Sequence, residues 1–364
     1  MIVLDTNQLR HAAFPHGTVL GMLRKIAALG GHTLALPEMV VVEHVAHHRH
    51  EVEQSLTLAR KALSTLGKAF GQDLTEHVAS LSAEDAVQKR RAELEESFTL
   101  LSNPSGAADE ALAREANRRA PAEQVWEDNE GKPVKAHGAR DALIWLTLLE
   151  TAAQADEDIW FVSMDRDFGN DGKSDFHDVL RGEAQAKLGE NAGRLRLING
   201  GIDQLLTELA TPAKAPENLE NLLRSNLVAH AVHIAMRGPD LFMTLLPVGS
   251  GATHGFTSQG LRLDESRVLR HKAYEVDGRI WVSAQMVCRG TKTYQYRAVE
   301  DGISWPRIAK VRFRFEATTL LELENGQAHS AEVVSHGPII VEETTHQRDE
   351  IPLGPIEMTL PRIE

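Results

Sequence analysis

Short apolar runs alternate with helix-periodic stretches through the first 210 residues, and this alternation constrains the fold more than any other feature of the chain. "IVLD" precedes a helix-like stretch around Val19 to Leu29, and "HTLALP" (32–37) precedes "EMVVVEHVAHHRHEVEQSL". "DIWFVSMD" (158–165) precedes "SDFHDVLRGEAQAKL", and "RLRLING" (194–200) precedes "GIDQLLTEL". Strands alternating with helices form parallel sheets with helices on both faces, so an α/β domain is expected over residues 1–210.

Residues 51–135 interrupt the alternation. They are rich in Ala, Glu, Arg and Leu, with "NPSG" (103–106) as the one clear break, and this pattern predicts a helical insertion of elongated, surface-lying helices. The basic clusters "KRR" (89–91) and "RR" (118–119) lie within it. Solvated helix faces with i,i+4 partners explain them, and guidance of a phosphate backbone is the alternative.

At "ATPAKAPENLE" (210–220) two prolines among small residues mark a domain boundary. Beyond it the periodicity changes to two. In "KVRFRFEA" (310–317), Val311, Phe313 and Phe315 share one face and Arg312, Arg314 and Glu316 the other. "RIWVSAQMVCRG", "TKTYQYRAVEDG", "TTLLELENG" and "AEVVSHGPIIVEE" read as further strands, with DG and NG as hairpin turns. A mainly β (α+β) domain is expected over 217–364, with a helix near 217–236. A chain of 364 residues accommodates two such domains.

Composition narrows the function classes. One cysteine, Cys288, excludes an internal disulfide and a cysteine-rich metal knuckle, and fits a reducing cytoplasm. No apolar run is long enough to span a bilayer, and the N-terminus has neither a basic leader nor a cleavage-like site, so no membrane association is expected. The net charge of −13 argues against a polyanion partner, but the acidity belongs to the first domain, which raises the question of what those carboxylates do. A P-loop, a Gly-rich dinucleotide turn and a Gly-x-Ser-x-Gly elbow are all missing, and "GNDGKS" (169–174) reads as a surface turn.

Ligands of open parallel sheets sit beyond the carboxyl ends of the strands. Asp5 follows the first strand, and Asp165 and Asp167 follow "IWFVS". Each alone is equally a helix cap or an Asx turn. Glu43 lies inside the apolar run "MVVVEHVA", where an ionised carboxylate is costly unless it meets a cation or faces a cleft. Asp141 opens the apolar helix "RDALIWLTLLE". Four acids at strand ends and helix entries of one unit repel one another without a cation, and hard divalent ions such as Mg2+ or Mn2+ take such an all-oxygen ligand set. Lys135 and Arg140, beside Asp141, are the best candidates for holding a substrate phosphate.

"IVLDTN", the Pro and Glu of "LPEMVVVE", the helix "GARDALIW" and "WFVSMDRDFG" occur in an order that resembles the PIN-domain nuclease family, over about residues 1–205 with a large helical insertion. The resemblance implies a compact α/β/α sandwich and metal-dependent hydrolysis of RNA, sometimes DNA. Asp5, Glu43, Asp141 and Asp165 match the family's acidic quartet, with Asp167 as an additional acid. Thr6 and Asn7 match the polar pair flanking the first Asp, and Ser163 the small hydroxyl residue before the last. The long segment between Glu43 and Asp141 and the appended β domain depart from the common pattern. One or two Mg2+ or Mn2+ ions on these acids would acidify a water and neutralise charge on the phosphate.

The expectation is therefore a cytoplasmic endoribonuclease, with RNA favoured over DNA, suited to a toxin or defence effector. The rivals are a PIN-like RNA-binding or scaffold module without turnover and a DNA-directed, structure-specific nuclease. A protein partner through the C-terminal domain, or a homo-oligomer, stays open. "EHVAHHRHE" carries His44/His48 and His47/Glu51 at i,i+4, the spacing of a two-residue transition-metal clip, although the end of a helix favours such side chains anyway. In the β domain, "ESRVLRHK" and "RIAKVRFRF", with Tyr294, Tyr296 and Trp305 nearby, read as a polar sheet face or a nucleic-acid platform.

Overall fold

The computed structural model describes residues 1–348 except 16, 123–124, 128–132, 136–137, 170–174, 236–251, 301–302 and 338. The chain divides into two compact units, Met1–Pro15 with Leu23–Ala210, and His16–Met22 with Thr211–Glu364.

In chain order the first part runs β1 (Ile2–Leu4), α1 (Thr6–His11), α2 (Thr18–Leu29), β2 (Leu34–Pro37), α3 (Glu38–Phe70), α4 (Glu76–Ala79), α5 (Ala83–Ser97), β3 (Thr99–Leu101) and α6 (Ala107–Asn117). It continues with β4 (Val125–Glu127), β5 (Pro133–Lys135), α7 (Ala139–Gln154), β6 (Ile159–Val162), α8 (Asp178–Leu188), β7 (Leu195–Ile198) and α9 (Gly201–Leu209). Five strands form a parallel sheet in the order β3-β2-β1-β6-β7. Ile2, Val3, Leu4, Ile159, Phe161 and Val162 of the central strands are buried, which is why these runs are apolar throughout rather than alternating. The expected α/β architecture is the one observed.

The segment 51–135 differs in detail from a separate helical insertion. α3 is a single helix of 33 residues that starts at the sheet edge and carries Glu43. Val40, Val41 and His44 near its start are buried, whereas Leu58 and Phe70 further along are 67% and 72% exposed. α5 packs back against α3, and β3 then joins the main sheet beside β2, with Ala35 opposite Thr99. A three-residue strand lacks the length to register as a period.

The second part holds β8 (Thr211–Pro212), α10 (Leu219–Leu222), α11 (Asn226–Ala235), β9 (Ala252–Val276), β10 (Arg279–Glu300), β11 (Ile303–Glu324), β12 (Gln327–His336) and β13 (Ile340–Arg348). It is an antiparallel sheet in the order β12-β11-β10-β9-β8, with β13 also on β11. Periodicity predicts separate strands on either side of Gly290, but β10 runs through it. A Cβ there would sit 2.7 Å from Arg262 O and 2.9 Å from Phe313 Cζ, so this glycine marks a close approach rather than a turn. Leu219 of α10, Leu223 just after it, and Val228 and Val232 of α11 pack with Val282, Met286, Cys288, Phe313 and Phe315 of the sheet, which confirms Cys288 as a buried, free core thiol.

Candidate active site

β1 and β6 are parallel neighbours with Leu4 opposite Val162, so residues 5 and 163 emerge side by side at the carboxyl edge of the sheet. Asp5 N donates to Val162 O at 3.1 Å, the last bond of that ladder. The Asp5 side chain then starts α1 as its N-cap, Oδ1 accepting from Thr6 N at 2.7 Å. The first strand ends at Asp5 because its carboxylate replaces the next turn's missing acceptor.

The other oxygen is committed elsewhere. Asp5 Oδ2 accepts from Ser163 Oγ at 2.5 Å and from Asn7 Nδ2 at 2.8 Å. Ser163, wholly buried, also accepts from Asp165 N at 3.1 Å, and Asp165 Oδ1 accepts from Asp167 N at 3.0 Å. One hydroxyl thus ties the acid after β1 to the turn bearing the two acids after β6. Gln8 extends the frame: Nε2 donates to Asn7 Oδ1 at 2.6 Å and Oε1 accepts from Ile202 N at 3.1 Å. Gln8 escapes a sequence reading because "DTNQ" gives no sign that its fourth residue is buried.

Glu43 comes in from α3. Thr6 Oγ1 donates to its Oε2 at 2.8 Å, Arg140 Nη1 donates to its Oε1 at 2.5 Å, and His47 Nε2 lies 3.8 Å from Oε1. Arg140, a candidate for holding a substrate phosphate, pairs with Glu43 while its side chain stays 50% exposed. Lys135 ends β5, and its side chain lies outside the described residues.

Asp141 sits in the first turn of α7. That end is anchored from α6, where Glu115 Oε2 accepts from Ala139 N at 2.7 Å. Behind it, buried Arg114 bonds Glu110 and Glu183, and Glu183 accepts from Trp145 Nε1 of α7 at 2.9 Å.

The acids act on one another. Burial pushes Asp5 up to about 7, with repulsion from Asp165 and Glu43 adding to it and the bonds from Ser163 and Thr6 N opposing it. Burial likewise pushes Asp141 up to about 8, with Asp165, Asp5, Asp167 and Glu43 all contributing repulsion. A helix N-terminus favours an acid by about 0.3–1 kcal/mol, too little to offset this. Among the described residues no three His, Cys, Asp or Glu side chains are arranged as a closed metal site. The oxygens of Asp5 and Glu43 are turned onto Thr6, Asn7, Ser163 and Arg140. The donor set nonetheless fits a hard divalent cation, being all carboxylate oxygen with a charge excess that a cation would relieve.

Among the described residues no helix is long and apolar enough to cross a membrane. No curated protein and no solved structure matches the chain. Residues 2–168 match the family model described as the PIN domain, a span that contains all five acids, and PIN domains are generally metal-dependent nucleases. Residues 2–168 are thus similar to the PIN domain, in agreement with the order of the acidic motifs.

Proposed function

We propose that the chain is a metal-dependent endoribonuclease using Mg2+ or Mn2+, working in a cytoplasmic setting such as that of a toxin or defence effector. The observation that carries the reading is the cluster itself: at the carboxyl edge of the sheet, burial and the nearby charges of Glu43 and Asp165 raise the proton affinity of Asp5 and of Asp141, with Asp167 adding to the effect at Asp141.

Asp5, Asp141 and Asp165 would hold the cation, with Glu43 and Asp167 at its margin. When bound, it would acidify a water and offset charge on the phosphate oxygens. Ser163, Asn7 and Thr6 N fix the Asp5 oxygens before any ion arrives, which reduces the ordering needed on binding. Thr6 Oγ1 holds Glu43 toward Asp5, and Glu43 is the group assigned to take the proton of the attacking water. Arg140, half exposed, can leave Glu43 Oε1 for a phosphate oxygen as substrate enters. Water adds to phosphorus, the bond to the leaving oxygen breaks, and that oxygen takes up a proton. The second unit is assigned to recognition of substrate or of a protein partner, a homo-oligomeric contact included.

One observation favours a nucleic-acid-binding module without turnover: the oxygens of Asp5 and Glu43 are satisfied within the protein, and among the described residues no three ligating side chains form a metal site. Labelled RNA and DNA, each incubated with Mg2+, Mn2+ or EDTA, separate the readings. RNA cut with metal and intact in EDTA supports the endoribonuclease, DNA alone cut supports the DNA-directed rival, and neither cut supports the binding module.

A further inference from the structure

Three histidines of "EHVAHHRHE" that follow Glu43, and an arginine of "KRR", meet in one cavity of about 570 Å3. That volume falls in the range of about 300–1,000 Å3 in which pockets enclose a small ligand. Arg10 comes from α1, His44 and His48 from α3, and Arg90 from α5. Asn7, whose Nδ2 donates to Asp5, lines the same cavity.

Its place follows from the two helices that deliver the acids. Asp5 caps α1, and Arg10 lies in the last turn of that helix. Glu43 is on α3, and His47 lies one turn further along. Both helices thus line the cavity beyond the acid they deliver, so the cavity adjoins the acid cluster.

The lining selects an anion. Arg10 is exposed, and its guanidinium has no hydrogen-bond or ion-pair partner among the described residues. Arg90 is half-buried, with Nη1 donating to Phe14 O at 2.7 Å, Nε 3.5 Å from Glu93, and its guanidinium 5.4 Å from the Phe14 ring centre. His44 is 8% exposed, stands edge-on to Phe14 at 5.7 Å, and its Nδ1 is buried without a hydrogen-bond partner. Glu51 is the one carboxylate among the lining residues. A transition-metal clip does not fit: among the described residues no three ligating side chains form a metal site, and two arginines beside the imidazoles repel a cation. Arginine forks match phosphate oxygens, and a buried imidazole nitrogen supplies a further polar contact.

We propose that this cavity is a nucleotide subsite, in which Arg10 and Arg90 grip the backbone phosphate next to the scissile one and His44 contacts the same nucleotide. The assignment rests on the nuclease reading of the neighbouring acids, and it gives α5 of the inserted segment a place in substrate binding.

The test measures binding apart from cleavage. Anisotropy of a labelled single-stranded RNA of about 12 nucleotides, and of DNA of the same length, is titrated with the full-length Asp5→Asn protein at two salt concentrations. Arg10→Glu is added to that background, with Arg91→Glu as the control. Arg91 is the neighbour in "KRR" that pairs with Glu95 on the same helix and is absent from the cavity lining. Arg10→Glu is expected to weaken binding at least about tenfold and to lower the salt slope by about one. The loss should be the same on RNA and DNA, because the contact is to phosphate, whereas Arg91→Glu should change binding less than about twofold. Unchanged melting temperatures exclude misfolding, and Arg10→Ala gives a smaller loss of the same sign. Arg10→Glu binding like its parent, equal losses for both variants, or a loss confined to RNA would each overturn the subsite. Intact binding by a wild-type protein that cuts nothing would sink the nuclease reading and leave the phosphate contact standing.

Discussion

Ser163 Oγ donates to Asp5 Oδ2 at 2.5 Å, joining the ends of two neighbouring parallel strands that lie 158 residues apart in sequence. The same hydroxyl accepts from Asp165 N, so a single side chain sets the spacing of the acids after β1 and β6. It is also the stronger of the two hydrogen bonds that hold the Asp5 proton affinity down against burial.

Ser163→Ala removes that bond while fitting the same space. Asp5 then titrates above about 7, and its ionised fraction at neutral pH falls by about tenfold for each unit of rise. Cleavage is expected to drop about 10- to 100-fold near pH 7. It should recover toward wild type as pH rises, so a pH–rate profile displaced upward distinguishes this effect from simple loss of fold.

Asp5 and Asp141 predict an unusual stability profile. Each titrates far above its ordinary 3.8, near 7 and 8 respectively, so between those limits the folded protein binds more protons than the unfolded chain. Stability therefore falls as pH rises through that window, the reverse of a salt-bridged carboxylate. Melting curves in chelator should move to lower temperature from about pH 5 to about pH 8. Asp141→Asn should flatten the trend, and millimolar Mn2+ should restore the wild type at the alkaline end. A melting temperature flat or rising with pH would show that the acids are not coupled in this way.

Arg140 and Glu43 form a pair with one half-exposed partner, so its net worth to folding is at most about 1 kcal/mol. Removing the cation frees Glu43 Oε1 and strips positive charge from the cluster. Arg140→Ala should therefore tighten Mn2+ binding a few-fold by calorimetry, scarcely change the melting temperature, and weaken the binding of single-stranded RNA. Weaker Mn2+ binding would contradict the competition between the arginine and the metal.

Gly138 precedes the turn that carries Asp141. A Cβ there would sit 2.5 Å from Ala122 Cα, a backbone atom that cannot swing aside. Its φ of −97° suits any residue, so the cost of Gly138→Ala is packing alone. A destabilisation of about 1–3 kcal/mol is expected by chemical denaturation. Cleavage well below the melting temperature should fall further than that figure implies, because α7 must shift to admit the methyl group.

Much of the site is legible in the sequence because strand ends advertise themselves. Asp5, Asp165 and Asp167 follow runs whose apolar character predicts full burial, Glu43 interrupts the apolar start of α3, and Asp141 opens the apolar α7. What local pattern cannot convey is partnership across the fold. Arg140 sits beside Asp141 in sequence yet pairs with Glu43 on α3, and Arg90 looks like any solvated helix arginine until α5 folds back beside α1. β3 escapes because three residues carry no period, and the unbroken β10 reads as two strands because Gly290, which serves a close contact, looks like a turn. Asp5 shows that two readings need not compete, since it caps a helix with one oxygen and joins the acid cluster with the other.

The most direct test is single-turnover cleavage of labelled RNA by wild type and by Asp141→Asn, with Mn2+ or with EDTA. Asp141 is the acid on which the other four converge electrostatically, and its asparagine variant removes the charge at nearly constant shape. Metal-dependent cutting by the wild type, reduced at least about 100-fold in the variant and absent in EDTA, is the expected result. Cutting that persists in EDTA, or an Asp141→Asn protein as active as its parent, would contradict a carboxylate-held metal at this sheet edge.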